Sequence, residues 1–149
     1  MAGVRLAAVT GEIATGTSTK TILQLVAAAN HRVVVREIRA SFKGVSASAT
    51  PVLVEVLRQT TAGTMSALSP VKLNSADDET LQTTAQHTAT AEPTAGDVVL
   101  AAEVHPQGGL FAWVAPFGGE LVVPGGERLG LRVTAGATVN CIAMMSVEE

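Results

Sequence analysis

Alternation of apolar and polar residues predicts several short β-strands along the chain. In RLGLRV (128–133), every second residue from Leu129 to Val133 is apolar, the period of two expected of a strand with one buried face. HRVVVREIRASFKG (31–44) shows the same alternation over a longer span. It predicts Val34, Ile38, Ala40 and Phe42 on one face and Glu37, Arg39, Ser41 and Lys43 on the other. Arg36 interrupts the apolar face, which predicts it at a sheet edge or in an interface.

Four other runs are apolar on both faces: TILQLVAA (21–28), PVLVEVL (51–57), DVVLAAEV (97–104) and VNCIAMMSV (139–147). They are short, and several are rich in β-branched side chains, so they predict strands buried between two layers rather than helices. The first run is expected to form a hairpin with the strand that follows it, turning near Ala29 and Asn30.

Turn signals separate these runs at regular intervals, among them glycine pairs at 108–109, 118–119 and 125–126. None of the pairs has the spacing of a dinucleotide fingerprint, and GEIATG (11–16) lacks the lysine of a P-loop. The glycines are therefore predicted to turn strands rather than to hold a phosphate. Seven to nine short strands predict an all-β, single-domain β-sandwich or jelly roll.

Residues 19–149 are assigned to this sandwich, and residues 1–18 to either an ordinary first strand or an arm. SADDETLQ (75–82) and TTAQHTATAEPTAG (83–96) lack a clear period and predict one long Thr/Ala-rich connection. Ser75 or Asp77 could cap a short helix there. Long connections of this kind are usually functional or flexible, so this one either extends over a neighbouring subunit or is mobile.

Charged residues make up only 15% of the chain, against about 25% in typical soluble domains. Such a surface is either covered in part by other chains or built from Thr, Ser and Ala. The charge is uneven, since residues 1–58 hold seven basic and three acidic groups and residues 73–149 two and ten. This asymmetry either orients identical subunits or cancels when the strands interleave.

A net charge of −3 does not indicate nucleic-acid binding. No segment approaches the ~20 apolar residues of a membrane span, and the N-terminus lacks a signal-peptide pattern. These features predict a soluble protein without a membrane partner, made in the cytoplasm.

No combination of residues predicts chemistry. His31, His87 and His105 are far apart and read as surface residues, and Cys141 lies among apolar neighbours. The adjacent acids at 77–79 lack calcium-loop spacing, and GVSAS (44–48) lacks the second glycine of a nucleophile elbow. We therefore expect no catalytic residue, metal or cofactor, and no enzyme activity.

The strand-and-turn pattern from about Thr19 to Glu149 resembles the jelly-roll head decoration (cement) proteins of tailed bacteriophages. The resemblance rests on KTILQLVAAANHRVVVREIRASFKGVSASATPVLVEVLRQTTAGT, EPTAGDVV, PQGGLFAW, VVPGGERLGLRV and the final MMSVEE. It implies a homotrimer that binds the major capsid protein and reinforces the expanded head. It implies a place on the capsid surface of the virion, after synthesis in the host cytoplasm, and no active site.

Six residues are candidates for an interface: Arg5, Arg36, Arg39, Phe111, Trp113 and Phe117. Spacing by two is expected to place Phe111, Trp113 and Phe117 on one face of one strand, either in the core or along a threefold axis. An alternative function is a trimeric tail-fibre tip or receptor-binding module, which would need an exposed recognition surface. A jelly-roll sugar isomerase is a third interpretation and would need a metal.

Overall fold

The computed structural model describes residues 3–44 and 50–149. Over these residues the chain is all-β, and two antiparallel sheets pack face to face, which confirms the predicted β-sandwich. The strands are β1 Arg5–Val9, β2 Ile13–Ala14, β3 Lys20–Val26, β4 Val33–Lys43, β5 Val52–Gln59, β6 Thr64–Leu68, β7 Val71–Lys72, β8 Thr84–Ala91, β9 Ala95–Val104, β10 Gln107–Val114, β11 Leu121–Val123, β12 Arg128–Thr134 and β13 Asn140–Glu148. In this part of the chain no helix has the length and apolar character needed to cross a membrane. Most of GVSAS falls outside the described residues.

The first sheet, here called sheet A, has the order β10-β4-β13-β1-β7; β11 also pairs with β4, and β2 with β13. Sheet B has the order β6-β8-β3-β12-β5-β9. Their inner faces form one core of aliphatic side chains, with Phe42 and Phe111 from sheet A. Residues 5–9, within the segment considered as an arm, form β1 and pair with β13 and β7.

The predicted alternation is confirmed in β12, where Leu129, Leu131 and Val133 are fully buried. In β4, Ile38, Ala40 and Phe42 face the core as predicted. The prediction for Val34 is wrong, because Val33 and Val35 are the buried residues at that end of the strand. The register with β13 shifts beside Arg36, so a β-bulge reverses the alternation at this point.

The predicted hairpin between β3 and β4 is wrong. β3 pairs with β8 and β12 in sheet B, whereas β4 pairs with β10, β11 and β13 in sheet A. The turn near Asn30 carries the chain from one layer to the other. Both strands contribute side chains to the same core, β3 from sheet B and β4 from sheet A. Apolar patterning alone does not show to which sheet a buried strand belongs.

The Thr/Ala-rich segment is not a long connection. Its residues 84–91 form β8, which lies between β3 and β6 and buries Ala85 and Ala89. His87 belongs to this strand rather than to a loop. Thr88 has a φ of +56°, and the register between β6 and β8 is irregular here, so the local period is disturbed. Residues 75–82 are not helical; the Asn74 side chain accepts from the Ala76 N–H in a tight turn.

β5 with β6, and β8 with β9, form two sides of one bent ribbon. β5 pairs with β9 and β6 with β8, and residues 60–63 run beside residues 92–94 between the two pairs. The Thr60 N–H donates to the Thr94 carbonyl at 3.0 Å, and the Thr94 N–H to Thr61 Oγ1 at 2.8 Å. The ribbon bends so that its two ends flank β3 and β12 in sheet B.

The uneven charge of the two halves of the chain is partly cancelled by the fold. Arg36 contacts Glu120 at 3.1 Å and Glu148 at 2.8 Å. Each of these ion pairs joins a residue of the basic half to one of the acidic half.

Candidate interaction surface

Exposed apolar side chains concentrate on sheet A. Eight of the nine large hydrophobic residues that are exposed among the described residues lie on its strands or on the segments next to them. They are Val9, Val71, Leu73, Leu110, Val114, Phe117, Val122 and Ile142. The ninth, Val98, lies on β9 of sheet B. The exposed large apolar side chains of the described residues therefore lie mainly on the outer face of sheet A and on its adjoining loops.

Strand register arranges this face in rows. One row runs through Val114, Glu37, Ser146, Ala7 and Val71. The next runs through Ala112, Arg39, Met144 and Val9. Directly paired residues project from the same side of a sheet, so each of these rows is mainly small or apolar, with a single charged residue from β4.

A loop at the edge of sheet A carries the most exposed aromatic residue. β10 and β11 both pair antiparallel with β4, and residues 115–120 leave the edge between them. The loop turns through Gly118, whose φ of +78° suits glycine, and the Gly119 N–H donates to the Pro116 carbonyl. Phe117 stands on this turn with its side chain fully exposed, at 105% of the reference area. Burial of such a side chain contributes about 2–3 kcal/mol of free energy. The single chain does not gain this stabilisation, because Phe117 stays in contact with solvent.

Arg36 holds this loop to the sheet. Its position in the β4 bulge turns its side chain to the outer face, where Nη1 donates to Glu120 Oε1 at 3.1 Å. Nε and Nη2 donate to Glu148 Oε2 at 3.1 and 2.8 Å. Arg36 was predicted at a sheet edge or in an interface, and it lies on an interior strand of the sheet.

These ion pairs change the acidities of their members. The hydrogen bond from Arg36 lowers the pKa of Glu148 below its ordinary value of 4.5. The pKa of Glu120 is also lowered, first by the backbone N–H of Glu120 itself and then by Gly118 and Arg36. The hydrogen bond to Glu148 raises the pKa of Arg36. All three side chains are therefore charged at neutral pH.

Beside Phe117 lies a depression of about 420 Å3. Apolar side chains of Leu73 and Val114 and the charged groups of Arg5, Arg36 and Glu120 contribute to its lining, together with Phe117. A protruding aromatic ring thus stands next to a hollow on the same face.

Three of the six predicted interface residues, Arg5, Arg36 and Phe117, are brought together around this depression. Arg39 lies on the same face, exposed and paired with Glu37. Phe111 is 9% exposed and Trp113 packs against the core, so both belong to the inner side of β10. The prediction that Phe117 shares their strand face is wrong, because β10 ends at Val114.

The sequence interpretation did not select Leu73, Leu110, Val114 or Ile142, which are among the exposed large apolar residues of this surface. For Ile142 a signal was present, because residues 139–147 are apolar on both faces. That pattern predicted a strand buried between two layers, whereas in the single chain β13 is covered on one face only.

The remaining chemical candidates from the sequence are the histidines, the acids at 77–79 and Cys141. Within residues 3–44 and 50–149, no three or more His, Cys, Asp and Glu side chains are placed to share a metal ion. Cys141 is buried, and burial raises its pKa to about 12, so the thiol stays protonated.

Replacing Arg36 by methionine is expected to make the fold less stable at neutral pH and to have less effect in acid. Glu120 and Glu148 have lowered pKa values in the folded state, so their pairing stabilises the fold above 4.5 and is lost as pH falls through the folded values. Thermal unfolding of both proteins between pH 7 and pH 3 measures this. The difference in Tm between the wild type and Arg36→Met should become smaller below pH 4.5.

Lys43→Met is the matched control for this prediction. Lys43 lies on the same strand, but its ion pair with Glu12 is more exposed than that of Arg36 and is expected to contribute little. A pH-independent loss in Arg36→Met would show that the arginine acts through packing alone.

Comparison with known proteins identified no family. No family model matches the chain, and no similar protein was found among curated proteins or among solved structures. The function is therefore inferred from the geometry of the chain together with the resemblance noted in its sequence.

Proposed function

We propose that the chain is a structural virion protein that decorates the expanded head of a tailed bacteriophage. In this proposal it binds the major capsid protein on the outside of the head as a homotrimer and stabilises the shell. The observation that carries the proposal is the outer face of sheet A. Its exposed apolar side chains include Leu110 and Val114 on β10 and Ile142 on β13, although the core already covers the inner side of these strands.

An uncovered apolar sheet face supports an assembly role. Soluble monomers rarely expose apolar patches larger than a few hundred Å2, and a chain with 15% charged residues has few groups to keep such a face in water. Burial of apolar area contributes about 25 cal/mol per Å2. Repeated around a shell, modest contacts of this kind resist internal pressure through their number rather than through individual strength.

The proposal is tested by co-sedimentation of the purified chain with phage heads stripped of accessory proteins. We expect it to pellet with expanded heads, to saturate at a fixed ratio to the major capsid subunit, and to remain in the supernatant with unexpanded shells. Failure to pellet with either form would overturn the decoration proposal. Copy number in purified particles would then test the tail-tip alternative, for which a few or tens of copies are expected.

A further inference from the structure

We infer that the outer face of sheet A binds a second copy of this chain, with Phe117 of one copy entering the depression beside Phe117 of the next. The inference rests on the homotrimer of the proposed function and assigns its contact surface. The decoration of a capsid does not by itself specify which face joins the subunits.

Phe117 and the depression form a complementary pair within one chain. Phe117 projects fully exposed from a turn that hydrogen bonds hold to the edge of sheet A. The depression of about 420 Å3 falls within the size range of roughly 300–1,000 Å3 typical of ligand pockets, so it can take an aromatic ring. Aromatic residues that fill pockets commonly dominate interface energies. Because every copy carries both parts, a second copy of the chain is the partner that satisfies both.

The charges on this surface favour the same partner. Three arginines, Arg5, Arg36 and Arg39, are balanced by three glutamates, Glu37, Glu120 and Glu148, and most are already paired within the chain. A neutral face with both signs in adjacent positions meets a copy of itself without net repulsion. A strongly charged partner would gain no long-range attraction from it.

The edge strand β10 and the area of the outer face of sheet A are both compatible with an interface between two copies of the chain. β10 lies at the end of the sheet and contains no charged residue, so it lacks the charges that usually prevent edge pairing. The five strands of the order β10-β4-β13-β1-β7 have 8, 11, 9, 5 and 2 residues. With a spacing of about 4.8 Å between strands, they give a footprint on the order of 500 Å2. Loop 115–120 and Leu73 add to this, which approaches the ~800 Å2 per partner of a standard interface.

In the homotrimer of the proposed function this contact runs head-to-tail, with Phe117 of each copy entering the depression of the next. Head-to-tail contacts satisfy every subunit only when they close into a ring. A trimer is such a ring, and in it each Phe117 is buried by the next copy.

Sedimentation velocity of the full chain across a wide concentration range tests the inference. We expect a species of three times 15.2 kDa for the wild type. In Phe117→Ser and Val114→Arg, the concentration at half-dissociation should rise roughly tenfold or more. Val98→Ser, an exposed valine on sheet B, is the matched control and should assemble like the wild type. Because Phe117 is fully exposed in the single chain, Phe117→Ser should unfold at the Tm of a wild-type monomer.

The outcomes separate this inference from the proposed function. Undiminished assembly of both sheet A variants would overturn the inference and leave decoration untouched. A wild type that stays monomeric at every concentration would overturn both the inference and the homotrimer. Assembly that depends on Phe117, together with no binding to expanded heads, would support the contact and overturn decoration.

Discussion

Gly130→Ala is expected to destabilise the fold by about 2–4 kcal/mol, although it adds a single methyl group. A Cβ at this position would lie 2.3 Å from Cδ and Oε1 of Gln59 and 2.6 Å from its Nε2. A flexible side chain could normally move aside. Gln59 is only 4% exposed and is held by hydrogen bonds to Gln24 at 2.7 Å and Thr21 at 2.9 Å. Relief of the clash therefore breaks buried hydrogen bonds.

Urea unfolding of the wild type and Gly130→Ala measures this loss. Gly11→Ala is the control, because a Cβ there meets no heavy atom within 4 Å and the backbone has no positive φ. We expect that control to unfold within about 0.5 kcal/mol of the wild type. Equal stability of Gly130→Ala would mean that the Gln59 side chain is free to leave the position described.

Strands were predictable where large aliphatic residues alternate without interruption. β12 is the clearest case, since Leu129, Leu131 and Val133 each fill the core. β8 escaped prediction because alanine and threonine give a weak hydrophobic signal and an irregularity at Thr88 disturbs the period. Its place in sheet B depends on pairing with β3 and β6, which are distant in sequence.

Sheet membership was less predictable than the strands themselves. A pattern of apolar residues indicates that one face of a strand is buried in a core. It does not indicate in which of the two sheets that strand lies. Closeness along the chain favoured a β3–β4 hairpin, while the two strands lie in opposite sheets. The bulge at Arg36 illustrates a related limit, because one extra residue reverses every later side chain and is set by the partner strand.

The candidate surface was partly visible in the sequence. Arg36 was selected because it interrupts an apolar alternation, and in the structure it binds the loop that carries Phe117. Phe117 was selected for a shared strand face that does not exist. Leu110 and Val114 were missed because a run that is apolar on both faces does not reveal which face the fold leaves uncovered. That becomes known only when the second sheet is in place.

The bent ribbon depends on a polar cluster formed by the buried residues Thr21, Gln24 and Gln59 with the exposed Glu92. Gln24 Nε2 donates to Gln59 Oε1 and to the Thr61 carbonyl at the bend. Thr21 donates its N–H and hydroxyl to the Glu92 carboxylate at 2.8 and 2.6 Å. Thr21 and Gln24 are fully buried, so these bonds fix how the ribbon crosses β3 and β12. Apolar packing alone would tolerate other crossings.

Gln59→Leu is expected to cost about 2–3 kcal/mol of folding free energy, because the donor groups on Gln24 Nε2 lose Gln59 Oε1 as an acceptor and keep only the Thr61 carbonyl. Adding Gln24→Leu removes those groups, so the double variant should lose less than the sum of the two single losses. The interaction energy from a double-mutant cycle in urea should be about 1–2 kcal/mol. Gln82→Leu, on the exposed surface, is the control and should change stability by less than about 0.5 kcal/mol. Strict additivity would show that the two glutamines act independently and that the bend is held by Thr21 and Glu92 instead.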